Sequence, residues 1–520
     1  MTVLTRTCWR LVPPTRLVRK FRIAQSNTYI RCNSTLVPNN NENVNAAPPK
    51  YTKIEKIILD HIKTTGPISF ATYMQLCLSH PTDGYYMNPA HKVFGTGGDF
   101  ITSPEISQTF GELIALWLLQ EFRKSGKDVP LRLVELGPGK GTLMGDILRV
   151  IQKFEPRKQI NVHLVETSPT MRELQKTHLS TPPNANVHLH WHNSLGDLLP
   201  SASEYTMLVA HEFFDALPVH ILQKSKDTGF WHEVLIASNE EDKTQIKNAE
   251  IPAVENPLTG SSPIVDTPPT VETPPPPSTT SNTLPSSPTT TPLSLRRVLA
   301  SKPSSIGAVL GLSSPRFSEL APGSYLEVSP AAFRIARMVG EVLAGGVGGT
   351  GASEGEGGAS KDGGIKGTEG QEKEGGKETG GGEGEAAIGG CGLIIDYGGA
   401  KAYADSLRAF KNHEIVDVFL EPGHCDITAN VDFAFLKEAM ADLVTPLGPI
   451  PQGVFLARMG LGLRLRTLLQ AAGSEARREE IHGAAMRLID MKGMGAEYKV
   501  LGVTGGEGSW PFVQDGKQQE

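Results

Sequence analysis

Residues 131–147, LRLVELGPGKGTLMGDI, constrain the fold more than any other part of the chain. The segment begins with a short apolar run, continues with three alternate glycines, and then places apolar residues at helical spacing. This pattern predicts a buried strand, a tight turn and the start of a helix. Glycines in such a turn let backbone N–H groups approach a ligand at the helix N-terminus, where the helix dipole favours negative groups. We therefore expect a nucleotide-like ligand at this turn.

Three classes of nucleotide site use such a turn, and residue spacing separates them. A P-loop needs a glycine five residues before its lysine and Ser or Thr after it, but Lys140 has Glu135 and Gly141 there. A dinucleotide fingerprint needs G-x-G-x-x-G, whereas Gly137, Gly139 and Gly141 are spaced G-x-G-x-G. The pattern E-x-G-x-G-x-G resembles the first motif of class I S-adenosylmethionine-dependent methyltransferases, which implies that Glu135 and the turn hold the methionine part of that cofactor. A turn with only a structural role is the alternative.

Further segments predict buried strands of the same sheet. The strand at residues 162–168 ends in Glu166, which is placed to accept the ribose hydroxyls of an adenosine. Another strand is predicted at 205–210, and CGLIIDYGG at 391–399 is a strand that contains Asp396. Acids that follow parallel strands meet at the carboxyl edge of the sheet, where open α/β folds bind ligands. The sequence therefore predicts an α/β fold with its ligand site along that edge.

Two low-complexity tracts interrupt this pattern. Residues 238–293 are rich in Pro, Thr and Ser, and residues 345–390 in Gly, Glu and Lys, so neither tract can bury an apolar core. We expect two disordered insertions in one domain of residues 131–504, followed by a flexible tail at 505–520. The segments WHEVLIAS and LRRVLASKP, on either side of the first insertion, are predicted to pair as a hairpin.

The N-terminus has a different character. Residues 1–41 contain no Asp or Glu but several Lys and Arg with an amphipathic pattern, which predicts a mitochondrial transit peptide and disordered lead over residues 1–45. A disordered basic arm is the alternative. Removal of seven basic residues would lower the formal net charge from −6 by seven to −13, which argues against a nucleic-acid partner. No apolar run in the sequence reaches the roughly 18 residues needed to span a bilayer.

Residues 50–130 predict an N-terminal helical segment with a mobile, glycine-rich loop that faces the ligand. Tyr85, Tyr86, Asp99 and Glu105 are candidates for ligand contact, and the alternative is that these aromatics are core residues and these acids are solvated. One helix is predicted to start at Ser103, as its cap, with proline in the first position.

No metal site is predicted. The segment VHLHWHN alternates as a half-buried strand and places His188, His190 and His192 on one face, without a nearby carboxylate to complete a ligand set. The five cysteines contain no C-x-x-C pair, so neither a zinc ribbon nor a disulfide scaffold is indicated.

Taken together, the motifs resemble the MidA-like family of bacterial and mitochondrial methyltransferases. The motifs that carry the resemblance are GPISFATYM, HPTDGYY, FGTGGDFITSPEISQTFGE, VELGPGKGTLM, VETSP, AHEFFDALPVH, IIDYGG, HCDITANVDFAFL and LGPIPQGVFLARMG. The resemblance implies a class I (Rossmann-like) methyltransferase sheet with helices on both faces and S-adenosylmethionine as cofactor. It also implies symmetric dimethylation of an arginine on a core subunit of respiratory complex I, needed for complex I assembly, in the mitochondrial matrix. Homo-oligomerisation is left open.

The segment after residues 205–210 supplies the candidate catalytic residues. An arginine guanidinium stays protonated near neutral pH, and two carboxylates can hold its planar fork while favouring charge on the attacking nitrogen. Glu212 and Asp215 are the candidates for this pair, and Asp396 is a third candidate. The alternative is that these acids cap the following helix.

Two rival functions are considered. A nucleic-acid amino methyltransferase would show an [Asp/Asn]-Pro-Pro-aromatic box after this strand, where the chain has His-Glu-Phe-Phe. A non-catalytic complex I assembly chaperone could keep the fold without turnover, and the intact glycine turn with Glu135 and Glu166 argues against it.

Overall fold

The computed structural model describes residues 51–88, 101–180, 186–239, 293–345 and 387–513. Several predicted features lie outside the described residues and stay predictions: the leader at 1–45, most of the ligand-facing loop, at 89–100, the bulk of the two insertions, at 240–292 and 346–386, and the end of the tail, at 514–520.

The elements of the described residues have the following bounds. The helices are α1 (Lys53–Thr65), α2 (Phe70–Ser79), α3 (Ser103–Ile106), α4 (Gln108–Lys124), α5 (Thr142–Phe154), α6 (Pro169–Leu179), α7 (Ser305–Gly311), α8 (Pro315–Ser318), α9 (Pro330–Leu343), α10 (Phe433–Met440), α11 (Gln452–Arg458), α12 (Leu461–Ala471), α13 (Glu475–Ile489) and α14 (Met494–Glu497). The strands are β1 (Ile68–Ser69), β2 (Leu131–Leu136), β3 (Ile160–Val165), β4 (Val187–His192), β5 (Tyr205–His211), β6 (His220–Lys224), β7 (Trp231–Ser238), β8 (Leu295–Leu299), β9 (Tyr325–Val328), β10 (Gly390–Gly399), β11 (Arg408–Lys411), β12 (Glu414–Val416), β13 (Asp426–Thr428), β14 (Val431–Asp432), β15 (Thr445–Pro451) and β16 (Tyr498–Thr504).

The order of the eight-stranded central sheet determines where a ligand can bind. Seven of its strands follow the order β15-β16-β10-β5-β2-β3-β4, and β14 pairs with the end of β10. Strands β10, β5, β2, β3 and β4 are parallel, whereas β16 is antiparallel to both of its neighbours. The chain runs outward from β2 through β3 to β4 and then returns to β5 on the other side of β2. Open α/β sheets bind ligands at such a reversal, beyond the carboxyl ends of the strands.

Helices cover both faces of the central sheet. Leu131 and Leu133 of β2 contribute to a core that includes residues of α4 and α5. Val134 and Leu136 contribute to a second core that includes residues of α9 and α10. Side chains alternate between the faces of a strand, and burial on both faces explains why β2 is mostly apolar. The predicted α/β sheet with helices on both faces is confirmed.

Two smaller antiparallel sheets form a separate part of the molecule. Their orders are β1-β7-β6-β9, with β8 paired to β7, and β12-β11-β13. Helices α1 and α2 share a third core with these sheets, whereas α4 packs on the central sheet. The predicted segment 50–130 is therefore divided between two cores. The β7–β8 hairpin is predicted from the sequence, and it is confirmed.

Regular structure after the second insertion begins at residue 390, the residue at which composition predicts the insertion to end. Gly390 pairs with Thr206 as the first residue of β10, and the Ile388 N–H donates to the Ser201 carbonyl oxygen at 2.8 Å. A Cβ atom at residue 390 would lie 2.0 Å from the Thr206 carbonyl oxygen, so a glycine is required there. The sequence does not distinguish this required glycine from the other glycines of the tract. The predicted start of the first insertion also lies within a strand, because Ser238 is the last residue of β7.

The helix predicted to begin at Ser103 is divided in two, and its predicted cap is wrong. Thr102 occupies the cap position of α3, and Ser107 has an extended backbone between α3 and α4, where its side chain caps α4. No helix of the described residues is long and apolar enough to cross a membrane.

Candidate functional site

The turn between β2 and α5 contains three glycines in the left-handed region. Gly137, Gly139 and Gly141 have φ angles of +63°, +51° and +83°, which residues with a Cβ atom rarely adopt. A Cβ atom at Gly137 would also lie 2.9 Å from Cδ2 of Phe213. The Gly141 N–H donates to the carbonyl oxygen of Pro138 at 2.7 Å and closes the turn. The predicted strand, glycine turn and helix are confirmed.

Glu135 lies beside this turn with part of its carboxylate unused. Its side chain is buried, the backbone N–H of Met144 in the first turn of α5 donates to it, and burial raises its pKa to about 8. Oε2 of Glu135 has no hydrogen-bond partner among the described residues. Because a buried polar atom without a partner is costly, a ligand group that donates to Oε2 would stabilise the site.

Glu166 follows β3 and lies on the other side of the turn. Its Oε1 accepts the Ser168 N–H at 2.7 Å, and its Oε2 accepts Nε2 of Gln175 at 3.2 Å. Nε2 of Gln175 also donates to the carbonyl oxygen of Gly139 at 2.7 Å. Burial raises the pKa of Glu166, and the Ser168 and Gln175 hydrogen bonds oppose that rise. The backbone N–H of Thr167 also donates to this carboxylate, and three bonds leave capacity on a group with about four acceptor sites. We call Glu135, the glycine turn and Glu166 the cofactor cradle.

The cofactor cradle opens into one cavity of about 400 Å³. Pockets of about 300–1,000 Å³ are typical of small-molecule sites. Lys140 is the only lysine or arginine on the described part of its wall. The acidic residues on the wall are Glu105, Glu135, Glu166, Glu212, Asp215 and Asp426.

Glu212 follows β5 in a strained conformation. Its φ of +49° is rare for a residue other than glycine, and such strain concentrates at functional sites. Oε1 of Glu212 accepts the hydroxyl of Tyr498 at 2.6 Å, and the Tyr498 oxygen lies 2.6 Å from that of Tyr397. Because a hydroxyl has one proton, Tyr397 donates to Tyr498 when Tyr498 donates to Glu212. The pKa of Glu212 is raised to about 8, chiefly by burial and further by the charges of Asp215 and Asp426, against the effect of Tyr498.

The carboxylates of Asp215 and Asp396 have different surroundings. Asp215 lines the cavity, and burial together with the charges of Asp396 and Asp426 raises its pKa well above the usual value. Asp396 is fully buried and is not among the cavity residues. Its Oδ2 accepts three consecutive backbone N–H groups, those of residues 213–215, at 3.1, 2.9 and 3.3 Å, and its Oδ1 accepts the Tyr397 N–H. The catalytic role of Asp396 stays a prediction, and in the structure its carboxylate holds the backbone that follows β5.

Asp426 supplies a third carboxylate, which is missed from the sequence. It begins β13, is 5% exposed, and accepts the Tyr86 hydroxyl on Oδ1 at 2.7 Å. Both side chains line the cavity. The motif HCDITANVDFAFL contains Asp426 and is the one signal in the sequence that could have indicated it. We call Glu212, Asp215, Asp426, Tyr86 and Tyr397 the acidic chamber.

The four N-terminal candidates fall into three groups. Tyr86 and Glu105 line the cavity, where Oε1 of Glu105 accepts Nζ of Lys140 at 3.1 Å. Tyr85 is a core residue that contacts Tyr86 edge-on, with ring centroids 5.2 Å apart. Asp99 lies outside the described residues.

The histidines of β4 do not form a metal centre. Nδ1 of His163 lies 2.9 Å from Nε2 of His192, and the His163 ring stacks on His190. In the parts of the chain that the structure describes, no three His, Cys, Asp or Glu side chains are arranged to hold a metal ion.

Comparison with known proteins identifies the family. The model of a family of S-adenosyl-L-methionine-dependent methyltransferases matches residues 113–450, which include the glycine turn, Glu166, Glu212 and Asp426. The chain belongs to this MidA-like methyltransferase family. S-adenosylmethionine is accordingly its cofactor.

Several similar proteins match most of this chain and most of their own length. The mitochondrial protein arginine methyltransferase NDUFAF7 of Danio rerio is 31% identical over 87% of this chain and 88% of its own length. Its Drosophila melanogaster homolog is 32% identical over 87% of this chain and 84% of its own length. A methyl transferase candidate from Burkholderia thailandensis, crystallised with S-adenosyl-homocysteine, has a TM-score of 0.57 at 21% identity and covers 88% of this chain and 93% of its own. This structural likeness supports the methyltransferase fold.

The residues of the cofactor cradle fit S-adenosylmethionine. The unpartnered Oε2 of Glu135 suits a cationic donor such as the ammonium group of the cofactor, and Glu166 has acceptor capacity for a ribose. The left-handed glycines allow the backbone to approach the ligand closely. When bound, the cofactor supplies a methyl group on a sulfonium, a leaving group for in-line displacement.

Proposed function

We propose that this protein methylates an arginine side chain at the acidic chamber. The observation that carries the proposal is the concentration of carboxylates there. Glu212, Asp215 and Asp426 line one cavity. Burial raises the pKa of Glu212 and Asp215, and the negative charge of Asp426 raises both further. Like charges that oppose each other in a buried site are relieved when a cation enters it. The chamber therefore favours a cationic acceptor.

The geometry of the chamber suits a guanidinium better than an ammonium. A guanidinium presents five N–H donors in a plane and pairs with two carboxylates at once, whereas an ammonium acts as a point charge. The Glu212 carboxylate accepts the Tyr498 hydroxyl, and the Asp215 carboxylate accepts the backbone N–H of Ala216. Two fixed carboxylates can align the attacking nitrogen, and alignment supplies much of the rate enhancement in a displacement reaction.

The reaction also requires removal of a proton from the attacking nitrogen. Nε2 of His211 is buried on the cavity wall without a hydrogen-bond partner among the described residues, and it lies 3.6 Å from Oε1 of Glu212. Burial lowers the pKa of His211 to about 3, so the imidazole is neutral near pH 7. Glu212, whose pKa of about 8 is close to neutral pH, is the group to which we assign proton removal, and the neutral His211 lies beside it.

The proposed substrate is a protein. The relatives from Danio rerio and Drosophila melanogaster bear the name protein arginine methyltransferase, and both are named mitochondrial. With the family resemblance, this supports symmetric dimethylation of an arginine on a core subunit of complex I, in the mitochondrial matrix, during complex I assembly. The acidic wall and the absence of an Asn-Pro-Pro-aromatic box argue against a nucleic-acid substrate.

The test is mass spectrometry of complex I subunits from cells with and without this gene. We expect one arginine to be symmetrically dimethylated only when the gene is present, and a Glu212→Gln variant to leave that arginine unmodified. Unchanged arginine methylation in the deleted cells would contradict the proposal. Normal complex I assembly by the Glu212→Gln variant, without methylation, would instead favour the non-catalytic chaperone.

A further inference from the structure

Helix α6 buries a polar residue where an apolar one is expected. Of the residues of α6, all of which the structure describes, Gln175 is the only buried one, with an exposed fraction of 0%. Glutamine is a good helix former that usually faces solvent, and an amide without partners in a protein interior costs free energy. The burial of Gln175 therefore calls for partners that satisfy its amide.

Those partners belong to two parts of the cofactor cradle. Nε2 of Gln175 donates to the Gly139 carbonyl oxygen at 2.7 Å and to Oε2 of Glu166 at 3.2 Å, so both of its N–H bonds are used. Oε1 of Gln175 accepts Nε1 of Trp191, in β4, at 2.9 Å. Its Cγ atom is also 3.7 Å from the position that a Cβ atom would take at Gly141. One side chain thus contacts the glycine turn, the acid after β3 and the neighbouring strand.

We propose that Gln175 is a positioning residue of the cofactor site that fixes the glycine turn and Glu166 relative to each other. The peptide bond is planar, so a hydrogen bond to the Gly139 carbonyl sets the orientation of the whole peptide unit in the middle of the turn. The second hydrogen bond of the same amide holds one carboxylate oxygen of Glu166. Because the two bonds share one nitrogen, the methionine and ribose parts of the cofactor are bound at a set separation.

Trp191 determines which way the amide faces. Indole Nε1 is a donor only, so its partner on Gln175 must be the oxygen, and this leaves the NH₂ group for Gly139 and Glu166. The opposite orientation of the amide would place its oxygen against two other acceptors. Trp191 therefore supports the cradle without touching it.

The test measures binding of S-adenosylhomocysteine, adenosine and 2′-deoxyadenosine to the full-length protein by calorimetry. Gln175→Leu removes the donor that the Gly139 carbonyl oxygen shares with Oε2 of Glu166, and we expect an affinity for S-adenosylhomocysteine about 10-fold lower or more. We also expect the preference for adenosine over 2′-deoxyadenosine to fall towards one, as in Glu166→Gln. The Gln175→Leu and Glu166→Gln effects should not multiply in the double variant, because both break one unit. Lys176→Leu, at an exposed site of the same helix, should bind as the wild type does.

Two further variants keep the test decisive if Gln175→Leu does not fold. Gln175→Glu keeps the shape and the acceptor for Trp191 but cannot donate, so it should lose affinity as Gln175→Leu does. Trp191→Phe keeps both donations and should lose less. Wild-type affinity in a folded Gln175 variant, or losses that are equal for both nucleosides and multiply with Glu166→Gln, would overturn the proposal. Failure of both Gln175 variants to fold would also overturn it, since Gln175 would then be a residue of the fold alone. None of these measurements needs the arginine substrate, so the outcome does not depend on the proposed acceptor.

Discussion

The cofactor cradle and the acidic chamber share one cavity but are assembled differently. The cradle comes from one continuous stretch, β2 to α6, and its residues are held largely by backbone hydrogen bonds and by Gln175. The acidic chamber combines residues from separate parts of the chain: Tyr86 follows α2, Glu212 and Asp215 follow β5, Tyr397 lies in β10 and Asp426 in β13. Tyr498 of β16 supports Glu212 from outside the chamber. Two of the chamber's acids, Glu212 and Asp426, accept hydrogen bonds from the hydroxyls of Tyr498 and Tyr86.

This difference predicts that cofactor binding by the cradle and arginine binding by the chamber can be altered separately. A change of charge in the chamber leaves the backbone of the glycine turn untouched, whereas a change of backbone in the turn leaves the carboxylates of the chamber in place. The two regions approach each other at Phe213, next to Glu212, whose Cδ2 would lie 2.9 Å from a Cβ atom at Gly137.

The largest expected effect is on methylation. Glu212→Gln and Asp215→Asn keep the shape of each side chain but remove the charge that pairs with a guanidinium, so each should lower the methylation rate by about 100-fold or more. Affinity for S-adenosylmethionine should stay within about 3-fold of wild type, as measured by calorimetry.

Glu479→Gln, at an exposed site on α13, is the matched control and should methylate normally. Wild-type rates in both chamber variants would show that these acids are structural. Loss of cofactor binding in both would break the separation of cradle and chamber.

The next effect is on cofactor binding. Gly139→Val forces a β-branched residue to adopt φ near +51° and crowds the turn, so we expect affinity for S-adenosylmethionine to fall by about 100-fold or more in a protein that still unfolds cooperatively. Gly462→Ala, in α12, provides a control, because nothing lies within 4 Å of its added Cβ atom. Calorimetry and thermal unfolding measure both variants. Unchanged affinity in folded Gly139→Val would place the cofactor elsewhere.

The same difference in assembly explains what the sequence could predict. The sequence could predict Glu135, the glycines and Glu166, because local periodicity indicates the strand ends at which they lie. The sheet topology then brings these strand ends together. Asp396 shows the limit of this reasoning. It lies near the end of a parallel strand as the others do, but its carboxylate faces the backbone of residues 213–215. Periodicity does not reveal which backbone groups need an acceptor.

Asp426, Tyr498 and Gln175 were missed for different physical reasons. Asp426 belongs to a three-residue strand of a small sheet, too short to show a pattern. Tyr498 is the first residue of β16, but its contact with Glu212 joins residues 286 positions apart. Glutamine in a helix usually faces solvent, and only the tertiary structure shows that Gln175 is buried.

A smaller effect concerns pH and separates the two regions by titration. Burial raises the pKa of Glu135 to about 8, so the side chain is mostly protonated at pH 7 in the free protein. An ammonium group of the cofactor favours the ionised carboxylate, and binding should release up to about one proton below pH 8. Affinity for S-adenosylmethionine should therefore rise by up to about 10-fold per pH unit between pH 6 and 7 and level off above pH 8.

The folded-state stability of the free protein should change in the opposite direction. The unfolded state has a glutamate pKa of about 4.3, so the folded state binds more protons between about pH 4.3 and 8 and loses stability as pH rises through that range. Calorimetry in buffers of different ionisation enthalpy measures proton release. Glu135→Gln should abolish the release and Glu212→Gln should retain it. Release that depends on Glu212 instead would assign the cofactor's positive charge to the acidic chamber.

The smallest effect is expected from the second insertion, which lies apart from both regions in the sequence. Gly345 and Gly389, which flank residues 346–386, lie close together: a Cβ atom at Gly389 would be 2.7 Å from the Cα atom of Gly345. Replacing residues 346–386 by about 20 Gly and Ser residues halves the loop, and the closure entropy then changes stability by only about 0.6 kcal/mol. Cofactor affinity and methylation should be unchanged, since the cradle and the chamber are built from other segments. Denaturant unfolding measures the stability, and a loss of cooperativity would show that the insertion packs against the domain. A selective loss of methylation with unchanged stability would instead assign the insertion to recognition of the protein substrate, and the chamber would then need a further part of the chain to act.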